Sequence, residues 1–282
     1  MSNHDFLQLN GKTISFIGGG NMARAIIDGL LKAKHEHNLS LNLCVSNRSP
    51  EKLVAFAEKG VVTATPDTAA DIVKNADVVV LAVKPQMMRE ACLPLAELLS
   101  TQTVLSVAAG LSVDTLSDML GGYQKIVRCM PNLPSSVGLG ASGMYAKAVD
   151  DEVRQLTDAI MKTSGITAWV DDENLLHAVT AVAGSAPAYF FYVLENMIAK
   201  AVEMGLSADD AHALAVQSLA GAGELARHQN PAILREQVTS KGGTTAAALG
   251  SLYDNQVGQA FAQAMQACSD RSVELGVILS QS

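Results

Sequence analysis

Residues 14–23 run Ile14, Ser15, Phe16, Ile17, Gly18, Gly19, Gly20, Asn21, Met22, Ala23. A short apolar strand pattern passes directly into G-x-G-x-x-A, and a helical pattern starts at once. Few folds use that order. Gly18 suits a tight turn, Gly20 lets the backbone approach a pyrophosphate, and Ala23 is small enough for helix to pack on strand. The first helical turn then offers unpaired N–H groups and a positive dipole end to phosphates. Ala23, Ile26, Ile27, Leu30 and Leu31 form one apolar stripe at helical spacing. Leu41–Val45 reads as the next strand, so residues 14–45 make a βαβ unit. The plainer reading is a glycine-rich turn without a ligand.

The end of that second strand selects the dinucleotide. NAD sites commonly place Asp or Glu there, on the ribose hydroxyls. This chain has Ser46, Asn47 and Arg48 and no acid. Arg48 suits paired, charge-assisted bonds to a 2′-phosphate, with Ser46 and Asn47 beside it. The expected cofactor is therefore NADPH in preference to NADH. The alternative for Arg48 is a solvated surface charge.

The 282 residues suit two domains, each able to bury a core. Charged residues make up 17 % and hydrophobic ones 49 %. So little charge predicts that much surface is buried between subunits. A net charge of −8 and the lack of a Lys/Arg run exclude a general nucleic-acid binder. Cys44, Cys92, Cys129 and Cys268 form no C-x-x-C pair, so reduced thiols and no zinc site are expected. The polar segment Met1–Asn10 does not read as a signal peptide. No uninterrupted apolar run reaches bilayer-spanning length. A cytoplasmic protein without membrane contact is the expectation.

Strands and helices alternate through the first half. Helix is expected over Pro50–Glu58 and Asp71–Lys74. Strands are expected at Val61–Thr63, Asp77–Val83, Val104–Val107, Lys125–Cys129, Met144–Tyr145 and, as an edge, Ala168–Val170. This alternation implies an α/β fold with a doubly wound, mostly parallel sheet. The character changes near Asp171–Asn174, beyond which the pattern is helical. Helices are expected at Leu175–Ala183, Ala188–Met204, Thr245–Leu249 and Val257–Leu275. Gly205 serves as a stop after the second, and Ser207 with Asp210 resembles a capping box. The stripe of small and apolar residues Ala211, Leu214, Ala215, Ser218, Leu219, Ala222 and Leu225 allows close helix packing, within or between subunits. The expected domains are residues 1–170 and 171–282.

In open α/β sheets, ligands lie beyond the carboxyl ends of the strands. Ala82, Val83, Lys84 and Pro85 end one expected strand. Ala108, Ala109 and Gly110 end the next, and Arg128–Asn132 the one after. Lys84 lies near the cofactor or is a plain surface lysine; Pro85 holds its backbone extended. Residues 184–189 interrupt a helix, as a kink or as a gathering of backbone groups. Residues 238–245 place two glycines and two threonines at a helix start. They form an anion cradle or an ordinary Thr cap.

Together these motifs resemble the pyrroline-5-carboxylate reductases: GGGNMA (18–23), AVKP (82–85), AAG (108–110), RCMPN (128–132), GSAPAY (184–189) and VTSKGGTT (238–245), in the family's order. The resemblance covers nearly the whole chain. It implies an N-terminal Rossmann-type domain and an all-α dimerisation domain. The homodimer forms through the C-terminal helices, extendable to a larger assembly of dimers, with the active site at the dimer interface. It implies reduction of 1-pyrroline-5-carboxylate, a small-molecule substrate, to L-proline with NAD(P)H. Glu173 and Gln237 would approach the cofactor, and Thr180 and Ser185 would line the substrate pocket. Gly243, Thr244 and Thr245 would hold the substrate, with N–H groups of Gly243 and Thr244 on the carboxylate and the Thr245 hydroxyl on the ring nitrogen. Ser240 would fix the loop. The chain departs from the family at Lys241, where Pro is usual, and at Ala186, where Gly is common. Two other readings stand beside this one: an NADPH enzyme for another cyclic imine, and a nucleotide-binding relative without catalysis. A β-hydroxyacid dehydrogenase would want a helix-borne lysine, and Thr180–Phe191 has none.

Overall fold

The computed structural model describes residues 3–280. Residues 1–2, which open the polar N-terminal segment, and residues 281–282, which close the expected second domain, lie outside the described residues. The chain divides into two compact units, one of Met1–Ser185 with Cys268–Ser282 and one of Ala186–Ala267.

The first unit is built on one eight-stranded sheet in the order β3-β2-β1-β4-β5-β6-β7-β8. Its strands are β1 (Thr13–Ile17), β2 (Asn42–Ser46), β3 (Val62–Ala64), β4 (Val78–Leu81), β5 (Thr103–Ser106), β6 (Ile126–Met130), β7 (Gly140–Tyr145) and β8 (Gly165–Trp169). All neighbours are parallel except β6 and β7. The expected doubly wound sheet is present, and β8 is the edge strand expected near Ala168. Every residue of β4 is buried, as its unbroken apolar sequence requires of a strand covered on both faces.

The helices α1 (Asn21–Glu36), α2 (Glu51–Ala57), α3 (Ala69–Lys74), α4 (Met88–Cys92), α5 (Val113–Met119) and α6 (Asp151–Lys162) cover the sheet. Side-chain alternation divides the core into two layers. Phe16 and Val80 pack with Ile26, Ile27 and Leu30 of α1 and Ile160 of α6 on one face. Val79, Leu81 and Val104 pack with Met88, Leu116 and Ile126 on the other. Asp150 caps α6 by accepting from the Val153 N–H at 2.9 Å, and Ser112 caps α5 through the Thr115 N–H at 3.0 Å. Burial raises the thiol pKa of Cys44 and pushes those of Cys92 and Cys129 up to about 12, so they stay protonated and inert at neutral pH.

After β8 the chain is helical throughout its described residues. Helix α7 (Leu175–Val179) widens into a π turn over Thr180–Gly184, closed by the Ser185 N–H on the Thr180 carbonyl at 2.8 Å. The expected interruption is present: the π turn inserts an extra residue, and the chain bends at Ser185 before the next helix begins at Ala186. Gly184 packs closely there: a Cβ would come within 2.7 Å of the Met130 methyl, the movable end of a flexible side chain.

The second unit comprises α8 (Ala186–Glu203), α9 (Ala208–Ala226), α10 (Pro231–Gln237), α11 (Thr244–Asp254) and the start of α12 (Val257–Ser280). Gly205 ends α8 with φ +105°, and the Asp210 N–H donates to Ser207 Oγ at 3.1 Å. The Asp210 carboxylate accepts from that hydroxyl instead of from the cap backbone, so the capping box is half formed. Among the unit's described residues only Ala186, Ala211 and Ala215 are buried. Phe190, Phe191, Tyr192, Leu214 and Leu225 are exposed. The segment Leu175–Glu203 is long and apolar enough to cross a bilayer by length and composition alone, a test that core helices also pass, and it is interrupted by His177, Glu195 and Lys200.

Candidate active site

The carboxyl ends of β1 and β4 mark the point where the strand order reverses, the usual crevice for a ligand on such a sheet. The turn after β1 fits its sequence reading. Gly18 has φ +104°, and a Cβ there would sit 2.7 Å from the Ala82 carbonyl oxygen. Only glycine meets both demands. Its N–H donates to the Ser46 carbonyl at 2.8 Å, which ties the turn to the end of β2. Gly20 is the N-cap of α1, with no side-chain cap and no atom within 4 Å of where a Cβ would lie. Open space thus surrounds Gly20, in front of the N–H groups of Asn21, Met22 and Ala23.

Asn47 Oδ1 accepts from the Gly19 N–H at 3.1 Å, and its amide donates to the Ser49 carbonyl at 3.1 Å. This side chain orders the glycine turn. Ser46 is buried at the end of its strand. Arg48 lies just beyond and is paired through Nη2 with Glu90 Oε1 of α4 at 2.6 Å. Gly18, Ser46, Asn47, Arg48, Val83 and Glu90 line one open cavity. Glu90 lies 42 residues from Arg48 in sequence, so the carboxylate absent from the end of β2 arrives from elsewhere. Lys84 is exposed with φ −61° and ψ 143°, the extended form Pro85 imposes, and Pro85 opens a short 3-10 turn. Ala109 is exposed after β5, and Gly110 has φ +82°.

Glu173 Oε1 accepts from the Val113 N–H at 2.7 Å and from Arg128 Nη1 at 2.6 Å. The carboxylate joins the N-terminus of α5 to β6 and balances a guanidinium that is 8 % exposed. His177 bonds Ser272 through Nδ1 at 2.8 Å. Partial burial and the nearby Arg128 charge hold its pKa below the ordinary value. Thr180 and Ser185 bracket the π turn. Thr180 Oγ1 donates to the Leu176 carbonyl at 2.8 Å, and Ser185 Oγ accepts from Cys268 Sγ at 3.2 Å.

In the second unit, Gln237 is exposed at the end of α10. Residues Ser240 to Gly243 form the turn before α11. Gly242 has φ +73°, and the Gly243 N–H donates to the Ser240 carbonyl at 3.0 Å. A Cβ on Gly243 would collide with Ser240 Oγ. Ser240 therefore shapes the turn from both sides. Gly243 is the N-cap of α11 and no side chain caps that helix. With the Gly243 N–H engaged, the open donors begin at Thr244 and Thr245. Among the described residues no three His, Cys, Asp or Glu side chains cluster as metal ligands.

The structure thus gathers Gly18, Ser46, Asn47, Arg48 and Val83 around one cavity in the first unit, and in the second unit the turn before α11 leaves the helix start without a side-chain cap. A sequence profile described as "Pyrroline-5-carboxylate reductase dimerisation" matches residues 173–275, and one described as "NADP oxidoreductase coenzyme F420-dependent" matches residues 13–110. The pyrroline-5-carboxylate reductase of Haemophilus influenzae is 43 % identical over 270 residues, spanning 94 % of this chain and 97 % of that protein. That of Pseudomonas aeruginosa is 39 % identical over 272 residues, 95 % of this chain and 98 % of the relative. Among solved structures, a pyrroline-5-carboxylate reductase from Coxiella burnetii superposes with a TM-score of 0.87 at 38 % identity, covering 94 % of this chain and 99 % of that one. The Plasmodium falciparum pyrroline carboxylate reductase with NADP bound gives 0.82 at 26 % identity, covering 95 % and 99 %. Sequence likeness of 39–43 % along nearly the full length, together with the same fold in solved relatives, places the chain in one family: it belongs to the pyrroline-5-carboxylate reductases.

Proposed function

We propose that this chain reduces 1-pyrroline-5-carboxylate to L-proline, using NADPH in preference to NADH. The observation that carries the reading is the uncapped, doubly glycine-led start of α11 in the same chain as the open glycine turn at α1. The first suits a small carboxylate, the second a pyrophosphate. The open space at Gly20 fits the dinucleotide, which supplies a hydride when bound. Gly18 to Ala23 hold the pyrophosphate. Ser46, Asn47 and Arg48 hold the adenosine end, and Ala82 to Pro85 with Ala109 border the nicotinamide half. Glu173 acts through the Arg128 pair, keeping the end of β6 and the start of α5 in register beside the cofactor, and Gln237 adds a contact.

The substrate carboxylate sits on the Thr244 and Thr245 N–H groups, with Gly243 shaping the approach and Ser240 setting the turn. An imine accepts hydride readily when its nitrogen is protonated. The Thr245 hydroxyl bonds that nitrogen and follows it as it becomes an amine. Thr180 and Ser185 border the ring. Orientation of this kind is worth roughly 7–11 kcal/mol in good cases, so the reaction needs no histidine. Two copies pair through the C-terminal helices, whose apolar faces each chain leaves exposed, and such dimers are able to assemble further. The functional division of the chain falls at residues 170 and 171, and the enzyme works in the cytoplasm.

The test is NADPH oxidation followed spectrophotometrically with pyrroline-5-carboxylate. Turnover with that substrate at least tenfold above turnover with a six-membered cyclic imine supports the reading. The reverse order assigns another imine, and nucleotide binding without turnover on either ring assigns a non-catalytic role. Arg48→Ala should raise the KM for NADPH about tenfold, the worth of one strong charge-assisted contact, and leave that for NADH within about twofold. Equal changes in both would remove Arg48 from phosphate recognition.

A further inference from the structure

We propose that Glu90 tunes the choice between NADPH and NADH by competing with the 2′-phosphate for Arg48. The inference rests on the reading of Arg48 given above. Arg48 follows β2 and Glu90 lies in α4, so the pair exists only because the sheet order brings these two carboxyl-side segments over β1. Arg48 Nη2 meets Glu90 Oε1 at 2.6 Å, with both side chains on the wall of the nucleotide-turn cavity. The guanidinium that would read a phosphate is thus already engaged by a carboxylate.

The pair is weak enough to exchange. Its side chains are 62 % and 70 % exposed, and exposed ion pairs of this type contribute little. A phosphate brings more charge and three acceptor oxygens to the same fork, so it displaces the carboxylate. Displacement still costs the pair, and the released Glu90 leaves a negative charge facing a negative ligand. NADPH bears both penalties. NADH bears neither, because its ribose hydroxyls are neutral and leave the pair intact. Glu90 therefore lowers the NADPH preference that Arg48 alone would confer. It is a specificity-determining residue, with no role in the chemical step.

Titration calorimetry with NADP+ and NAD+, without substrate, reads this directly. The set is the native chain, Glu90→Gln, Glu90→Ala, Arg48→Ala and the Arg48→Ala, Glu90→Gln double variant. Both Glu90 variants should lower the Kd for NADP+ about 3- to 10-fold, the range set by an exposed pair plus one like-charge repulsion. The Kd for NAD+ should stay within about twofold, and in the Arg48→Ala background Glu90→Gln should strengthen NADP+ binding by a smaller factor than in the native chain, because only the like-charge part is left. High salt should shrink the gain. Equal changes for both nucleotides would overturn the proposal, as would the same gain without Arg48. If Arg48→Ala weakens NADP+ but neither Glu90 variant strengthens it, Glu90 is not a competitor and the Arg48 reading survives. If Arg48→Ala leaves nucleotide discrimination untouched, both readings fail.

Discussion

Thr245→Ala should lower kcat by roughly 100-fold, the lower end of what a positioned proton-bearing group contributes, while NADP+ binds within about twofold of native. Thr245 is the second residue of α11, a helix without a side-chain cap, beyond a turn whose Gly243 N–H is already bonded to Ser240. Removing the hydroxyl leaves the backbone N–H groups proposed to bind the carboxylate, so KM for the imine should rise far less than kcat falls. Thr245→Ser keeps the oxygen and should recover most of the rate. A kcat unchanged in Thr245→Ala would take the hydroxyl out of the mechanism. A parallel rise in KM and loss of thermal stability would reassign Thr245 to the fold of the loop.

Gly18→Ala and Gly20→Ala should separate two uses of glycine in one turn. At Gly18 a methyl would lie 2.7 Å from the Ala82 carbonyl oxygen, on a backbone with φ +104°. Something must shift, at a cost of order 1–3 kcal/mol. The shift moves the turn against β4 as well, so Gly18→Ala should lose thermal stability and weaken NADP+ about 10- to 100-fold. Gly20 has φ −77° and nothing within 4 Å of a Cβ. Alanine fits the empty protein there, so Tm should hold within a degree or two, while the methyl obstructs the pyrophosphate and NADP+ weakens. Unimpaired NADP+ binding in Gly20→Ala would mean that the ligand does not approach this backbone.

Much of this fold is legible in the sequence because parallel strands buried on both faces cannot hide their composition. Residues 78–81 are one unbroken apolar run, and β1, β2, β5 and β6 fall within a residue or so of their expected positions. The short helices α4, α5 and α10 carry too few turns to show a period, and they escape the sequence reading. Helix α6 does show one. Asp150 caps it, and Val153, Leu156, Ala159 and Ile160 follow at helical spacing, but the reading passes from β7 to β8 without using that signal. At the site, the glycine turns announce themselves because their φ values restrict the residue type. The partners of Arg48 and Glu173 do not. Glu90 meets Arg48 and Arg128 meets Glu173 only through the order of strands in the sheet, and no local pattern encodes that order. The π turn at residues 180–184 is hidden for another reason: glycine marks a break by propensity, and no residue type announces an inserted residue.

The helical unit that begins at Ala186 keeps almost no side chain dry by itself. An interior that a polypeptide lacks alone has to be completed by another molecule, so its persistence follows mass action rather than sequence alone. Scarce chains, at the start of synthesis or in dilute solution, then run the greatest hazard of separating and losing the folded state. Abundance itself becomes part of what keeps this enzyme intact.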